Sequence, residues 1–308
     1  MLVDGPPPIL VTGSHRSGST WVGKMISAHP AVAYIHEPFS VHHRRGICDV
    51  VFPYWFPYVC PDNEGPYLIP VSDMFAFRYQ ALAELATVRS ARDGARLVRD
   101  AYRFEMARWR SSIPLVKDPI AFFSAEWLQG RYGARVVVLI RHPAAFASSL
   151  HKLGWNHPFG DFLAQPLLMR DLLAPFTDEI RAHAEDERDV IDQAILLWNL
   201  VHSVAIRYQQ SHPGWLFIRH EDLARDPVSS FGTVFHSLNL EMPPVVRRRI
   251  ADHSSVSNPA DPADPGDLRR DSRSSILTWR RRLTEEQIAR VRVGTEMTWP
   301  AFYGDDDW

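Results

Sequence analysis

Apolar residues in this chain gather in short runs separated by longer mixed stretches, and the two kinds of segment alternate. Ile9-Leu10-Val11, Ala31–Ile35, Pro114-Leu115-Val116, Arg135–Ile140 and Trp215–Ile218 are such runs. Unbroken apolar segments of this length predict strands buried on both faces, and the β-branched run inside Arg135–Ile140 suits a central parallel strand. Between them the pattern turns helical over Trp21–Ile26, Asp73–Val88, Ala91–Trp109, Ala121–Gly130, Ala144–Lys152, Asp192–Gln210, Asp226–Leu238 and Thr284–Met297. Thr284 followed by Gln287 is a capping box, and Pro143 suits a first helical turn. Strands alternating with helices predict an α/β fold, a parallel sheet flanked by helices on both faces. No repeat or linker divides it, so residues 1–308 read as a single domain with a core over 8–300.

Three regions escape the alternation. Residues 40–72 include Val51-Phe52-Pro53-Tyr54-Trp55-Phe56-Pro57-Tyr58, dense in aromatics and prolines and without a period. Residues 154–178 form a second irregular, aromatic-containing stretch. Residues 254–283 begin polar and rich in Asp, Pro and Ser, the composition of a loop.

Four of the predicted strands end on polar signals. The first runs into Thr12-Gly13-Ser14-His15-Arg16-Ser17-Gly18-Ser19-Thr20, the second into His36-Glu37-Pro38, the third into Lys117-Asp118-Pro119 and the fourth into Arg141-His142-Pro143. A core strand has no packing reason to finish in this way, and in open α/β sheets ligands bind at the carboxyl edge of the strands. Gly13 and Gly18 keep the spacing of the phosphate-binding pattern G-x-x-x-x-G-K-[ST], which makes the fold P-loop-type. Ser19 stands where that pattern has Lys, while Thr20 keeps the hydroxyl. Backbone N–H groups and the positive end of the following helix still suit an anion.

Composition narrows the partners. A net charge of -2 over 308 residues gives no reason to expect nucleic acid or an anionic membrane as partner. Lys occurs only at positions 24, 117 and 152, leaving Arg at the other 31 basic positions, and Arg favours bidentate work on phosphate or carboxylate. Two cysteines, Cys48 and Cys60, read as free thiols of a reducing compartment. No leader and no membrane span is expected, so the chain reads as cytoplasmic. The 14 His residues show no metal-ligand spacing, so no metal is expected. Nothing in the sequence fixes an oligomeric state.

Arg16-Ser17-Gly18-Ser19-Thr20-Trp21 resembles the 5′-phosphosulfate loop of sulfotransferases that use 3′-phosphoadenosine 5′-phosphosulfate (PAPS), notably the bacterial and carbohydrate type. Arg16 stands where many members have Lys, so the positive charge missing at Ser19 sits three residues upstream. Val138–Pro143, with Ser149 eight residues after Arg141, resembles the family's 3′-phosphate motif. The resemblance implies PAPS as donor, with Arg16, Ser17, Gly18, Ser19 and Thr20 on the phosphosulfate, Trp21 on adenine, and Arg141 and Ser149 on the 3′-phosphate. Ser272–Ser275 with Trp279-Arg280 resembles the C-terminal loop that closes over the nucleotide, which brings in Arg273 and Ser274 and makes 254–283 the closing loop. His36-Glu37-Pro38 resembles the Glu-Pro after the second strand. Ile218–Leu223 with Asp226-Pro227 matches a further segment of structural role.

Sulfuryl transfer needs a base for the acceptor's proton, and Glu37 is the candidate, with His36, His42 and Asp118 as alternatives. Cytosolic phenol and steroid sulfotransferases carry a catalytic His two residues after a Lys; here Pro119 occupies that place after Lys117. Lys117 is expected to balance charge on the leaving phosphate, orient the acceptor or form an ion pair. The expected acceptor is a hydroxyl, in second place an amine, of a sugar-containing or other small molecule, with insertions 40–72 and 154–178 on the acceptor side. The rival readings are a P-loop nucleotide kinase using ATP and Mg, which would need the missing Lys, and a non-catalytic nucleotide-binding module.

Overall fold

A computed structural model describes residues 5–261 and 267–308 of the chain. Residues 1–4 and 262–266, the latter within the expected closing loop, lie outside the described residues. Five strands, β1 (Ile9–Gly13), β2 (Val32–His36), β3 (Ile113–Lys117), β4 (Arg135–Ile140) and β5 (Leu216–Arg219), pair in the order β2-β3-β1-β4-β5. All four pairings are parallel. The chain runs from β1 to β2 and β3 on one side and then crosses from β3 to β4 on the other, so the carboxyl end of β1 is the switch point where such sheets open a crevice.

Alternate residues of each strand feed two separate cores. Leu10, Ile35, Val116, Val138 and Ile140 pack with Phe146, Leu150 and Trp198 of the helices Pro143–Leu153 and Val190–Ser211. Ile9, Val11, Leu115, Val137 and Leu139 face Val22 and Met25 of helix Ser19–Ile26. Phe231 and Val246, from helices Pro227–Ser237 and Pro244–His253, complete that second core. Period-two side-chain alternation with both faces apolar leaves no polar face, which is why these strands are unbroken apolar runs.

Some boundaries differ from the sequence expectation. The helix expected over Asp73–Val88 is two, Gly65–Phe75 and Ala81–Leu85. Phe77 sits at φ 52°, a left-handed conformation that ends the first helix, while Arg78 N–H donates to the Asp73 carbonyl at 2.8 Å. The stretch expected as helix from Ala121 is a 3₁₀ turn, Pro119–Ser124, capped by Asp118, and then the α-helix Ala125–Tyr132. Region 154–178 is not wholly irregular: it contains Gly160–Leu163 and Pro166–Leu168 and enters helix Thr177–Glu185. The last helix, Glu285–Gly294, starts on the expected capping box of Thr284 and Gln287 but stops before Met297. Among the described residues no helix is long and apolar enough to cross a membrane.

Candidate active site

The loop after β1 is shaped by two glycines. Gly13 has φ 135°, and a Cβ there would lie 2.3 Å from the Leu139 carbonyl oxygen, so only glycine lets the chain leave β1 beside β4. Gly18, at φ 92°, caps helix Ser19–Ile26, and a Cβ would meet His220 Nδ1 at 2.5 Å. Between them Arg16 holds φ 62°, strained for a residue with a side chain. The helix has no side-chain cap, leaving its first N–H groups open at the sheet's carboxyl edge. Ser14 and Ser17 are completely buried there, and their hydroxyls have no hydrogen-bond partner. Orphaned hydroxyls beside an uncapped helix end form a cradle that fits a phosphate or sulfate.

Three residues named from separate parts of the sequence converge on this loop. Arg16 Nε donates to Ser149 Oγ at 3.0 Å, and Arg141 Nη1 donates to the Arg16 carbonyl, while Arg141 Nε is buried without a partner. Burial first, then Arg16 and Arg270 among its neighbours, pushes Arg141 down to about 10. Arg16 is lowered by burial and by Arg270 and Arg282. The acid bearing on Arg141 is Glu221, which is held by His142 N–H at 3.1 Å and by the Tyr303 hydroxyl at 2.8 Å. These arginines, with Glu221 beside Arg141 and Asp261 on Arg282 as their acids, still present an excess of positive charge suited to a ligand carrying several negative charges.

Arg270 and Arg282 are the cluster members that sequence reasoning missed; its signal was the arginine-rich tail, and it picked Arg273 and Ser274. Those two are exposed and turn away. Arg273 Nε donates to the Arg225 carbonyl at 2.8 Å and Ser274 Oγ to Asp271 at 2.5 Å. Asp261 meanwhile ties Arg282 (2.5 Å) to Lys152 (3.0 Å), fastening the tail to the end of helix Pro143–Leu153. Trp21 is only 9 % exposed and packs edge-on against Phe231 at 5.2 Å, so most of its indole serves the core. His220, also missed, sits against Gly18 with Nδ1 buried and unpartnered; burial holds its ring neutral.

At the far end of the edge, β2 and β3 meet. Glu37 has φ 43°, its N–H donates to the Lys117 carbonyl at 2.9 Å, and its carboxylate pairs with Lys117 Nζ. The Lys117 side chain is wholly buried, its stem running past Gly23, whereas that of Glu37 is 35 % exposed. The carboxylate is therefore the solvent-facing partner and the ammonium stands behind it. Asp118 is fully buried; its oxygens accept from Phe39 N–H (2.7 Å) and Ile120 N–H (3.1 Å), and burial pushes it up to about 7. Its two oxygens are committed to backbone, which leaves it a bracing role. His36 is exposed beside Tyr34.

The two aromatic insertions pack on one another. Trp55 N–H donates to Asp161 and Tyr58 N–H to Gln165, each at 2.8 Å. A cleft where they meet is lined by His15 of the loop with Trp55, Leu150, Trp155 and His157. His15 is pushed down to about 3 by burial, next by the Arg16 charge, and stays neutral. Among the described residues no cluster of three His, Cys, Asp or Glu could hold a metal.

The model of the sulfotransferase family matches residues 7–244, more than three quarters of the chain. The chain belongs to the sulfotransferase family. It is an enzyme of sulfuryl transfer, and the phosphate loop, Arg141 and Glu37 all lie within the matched span. Comparison with curated protein sequences gives no match. Among solved structures, the sulfotransferase domain from the curacin biosynthetic pathway shares the fold, with a TM-score of 0.51 at 13 % identity, covering 95 % of this chain and 99 % of that one. Sulfotransferase STF9 from Mycobacterium avium gives a TM-score of 0.45 at 15 % identity over 97 % of this chain and 78 % of that one. Mouse sulfotransferase SULT7A1, solved with PAP, gives 0.45 at 12 % identity over 98 % and 86 %.

Proposed function

We propose that this sulfotransferase moves the sulfuryl group of PAPS to a hydroxyl of a sugar-containing or other small-molecule acceptor, with Glu37 as general base. The observation that carries the reading is the corner of Arg16, Ser149 and Arg141 beside an uncapped helix with orphaned serine hydroxyls. Arg16, the loop N–H groups and the hydroxyls of Ser17, Ser19 and Thr20 hold the phosphosulfate end. Arg141 and Ser149, joined by Arg270, take the 3′-phosphate. The S–O bond to the 5′-phosphate breaks as the acceptor oxygen bonds to sulfur in line. Glu37 takes the acceptor's proton, and adenosine 3′,5′-bisphosphate leaves with the electron pair. The loop cations stabilise the charge that grows on the leaving phosphate. Lys117 acts through Glu37, holding the carboxylate in place rather than meeting the donor.

The experiment is a screen of sugar and phenolic acceptors with sulfur-labelled donor. Label transfer by the native chain, lost in Glu37→Gln while nucleotide still binds, is expected. Transfer at the native rate by Glu37→Gln would move the base elsewhere.

A further inference from the structure

A surface helix normally turns its charged side to water, and helix Ala91–Trp109 does not. Its buried residues, Asp100, Phe104 and Ala107, fall on one side at about 100° of rotation per residue. The side directly opposite carries Ala91, Ala95, Val98, Tyr102 and Trp109, all exposed. Val98 is 67 %, Tyr102 65 % and Trp109 75 % exposed, so none of the three serves the core. An acid at the margin of this row, Glu105, is paired with Arg108 at 2.9 Å. The short helix Ala81–Leu85 packs on this one and exposes Leu82 and Leu85 as well.

A second row runs beside the first. Arg92, Arg96, Arg99, Arg103 and Arg110 recur at helical spacing, about a quarter turn from the apolar row, and all five are exposed. The ion pairs of this helix involve Arg96, Arg99, Arg103 and Arg108, leaving Arg92 and Arg110 without one among the described residues. Asp100 serves Arg99 at 2.8 Å and Arg103 at 4.0 Å and also pairs with Arg44, so one carboxylate answers three arginines. Residues 91–110 hold six Arg against two Asp and one Glu, a local excess hidden within a net charge of -2.

We propose that this helix docks the enzyme on an anionic lipid bilayer, with Val98, Tyr102 and Trp109 entering the interface and the arginine row meeting lipid phosphates. An interfacial helix needs an apolar side for the acyl boundary and cations for the headgroups, and Trp and Tyr suit the level between them. A second copy of the chain fits this face worse, because a two-fold contact would bring two arginine rows together. Nucleic acid would engage the arginines and leave the apolar row in water. Arg44, in the loop after Glu37, donates to Glu84 at 2.6 Å and pairs with Asp100. The docking helices are thereby fastened to the segment that follows the proposed base.

The test is co-sedimentation of the full chain with phosphatidylcholine vesicles, with and without phosphatidylglycerol, at low and high salt. Anionic vesicles are expected to bind about a hundredfold more tightly than neutral ones, and high salt should remove most of that gain. Combining Arg92→Gln, Arg96→Gln and Arg103→Gln should abolish the preference, at roughly fivefold for each charge. Val98→Ser with Trp109→Ser should weaken vesicle binding about tenfold or more and leave its salt dependence in place. Bisphosphate affinity should stay native in both sets, since every substituted side chain is exposed. Equal binding to neutral and anionic vesicles, or anionic binding that both sets leave intact, overturns the proposal. So does binding of heparin or duplex DNA as tight as that of vesicles with the serine set silent, or a lipid-free dimer that the serine set dissociates.

Discussion

Arg16 Nε donates to Ser149 Oγ at 3.0 Å across 133 positions of sequence, joining the loop after β1 to the helix after β4. The bond couples the two ends of the expected donor site, so the substitutions Arg16→Ala and Ser149→Ala should not act independently. In a double-mutant cycle read by bisphosphate affinity, the coupling should be about 1–2 kcal/mol. Strict additivity would mean that the two residues serve different ligands.

Glu37 and Lys117 should separate by kinetic signature. Glu37→Gln should lower kcat by about 10²–10⁴-fold with little change in donor KM. Lys117→Met keeps the packed stem beside Gly23 and removes the charge behind Glu37, so kcat should fall less, again without loss of donor affinity. A rise in donor KM as the main effect of Lys117→Met would place its ammonium on the nucleotide.

How much of this was legible in the sequence follows from where the information sits. The strands were readable to within a few residues because strands buried on both faces are apolar throughout. The break at Phe77 was not, because a left-handed backbone at a phenylalanine leaves no local signal. Arg16, Arg141 and Glu37 could be singled out from the sequence because each ends or follows a strand. Arg270 and Arg282 could not be told from Arg273, because which arginine of a polar tail turns inward is decided by tertiary contacts such as Asp261 with Arg282. Trp21 is a motif residue whose ring packs mainly in the core, against Phe231.

The two loop glycines should fail differently on substitution. Gly13→Ala meets backbone at 2.3 Å and should cost several kcal/mol of stability, about 2–4, seen as a lower denaturant midpoint. Gly18→Ala meets a side chain, that of His220, rather than backbone, and it does so within the phosphate loop, so bisphosphate binding should suffer more than stability. Equal stability losses with intact binding in Gly18→Ala would contradict this.

Acid should destabilise the fold through its buried histidines. His15, His142, His157 and His202 are each pushed down to about 3, with burial the first cause. Near pH 6.5 and below the unfolded chain takes up protons that these sites refuse. Their contribution is therefore complete above about pH 6.5 and is lost as pH falls toward 3. Melting temperature should drop between pH 7 and pH 5, and more shallowly in His202→Gln, where the ring stacked on Trp198 at 3.9 Å is replaced. A flat profile over that interval would refute the assignment.

The most direct test of the donor site is calorimetry with adenosine 3′,5′-bisphosphate and with ATP, each without and with Mg²⁺. Tight, metal-independent binding of the bisphosphate, weakened by about two orders of magnitude in Arg141→Ala, is the predicted result. Preference for ATP with Mg²⁺, or bisphosphate binding indifferent to Arg141→Ala, would contradict it.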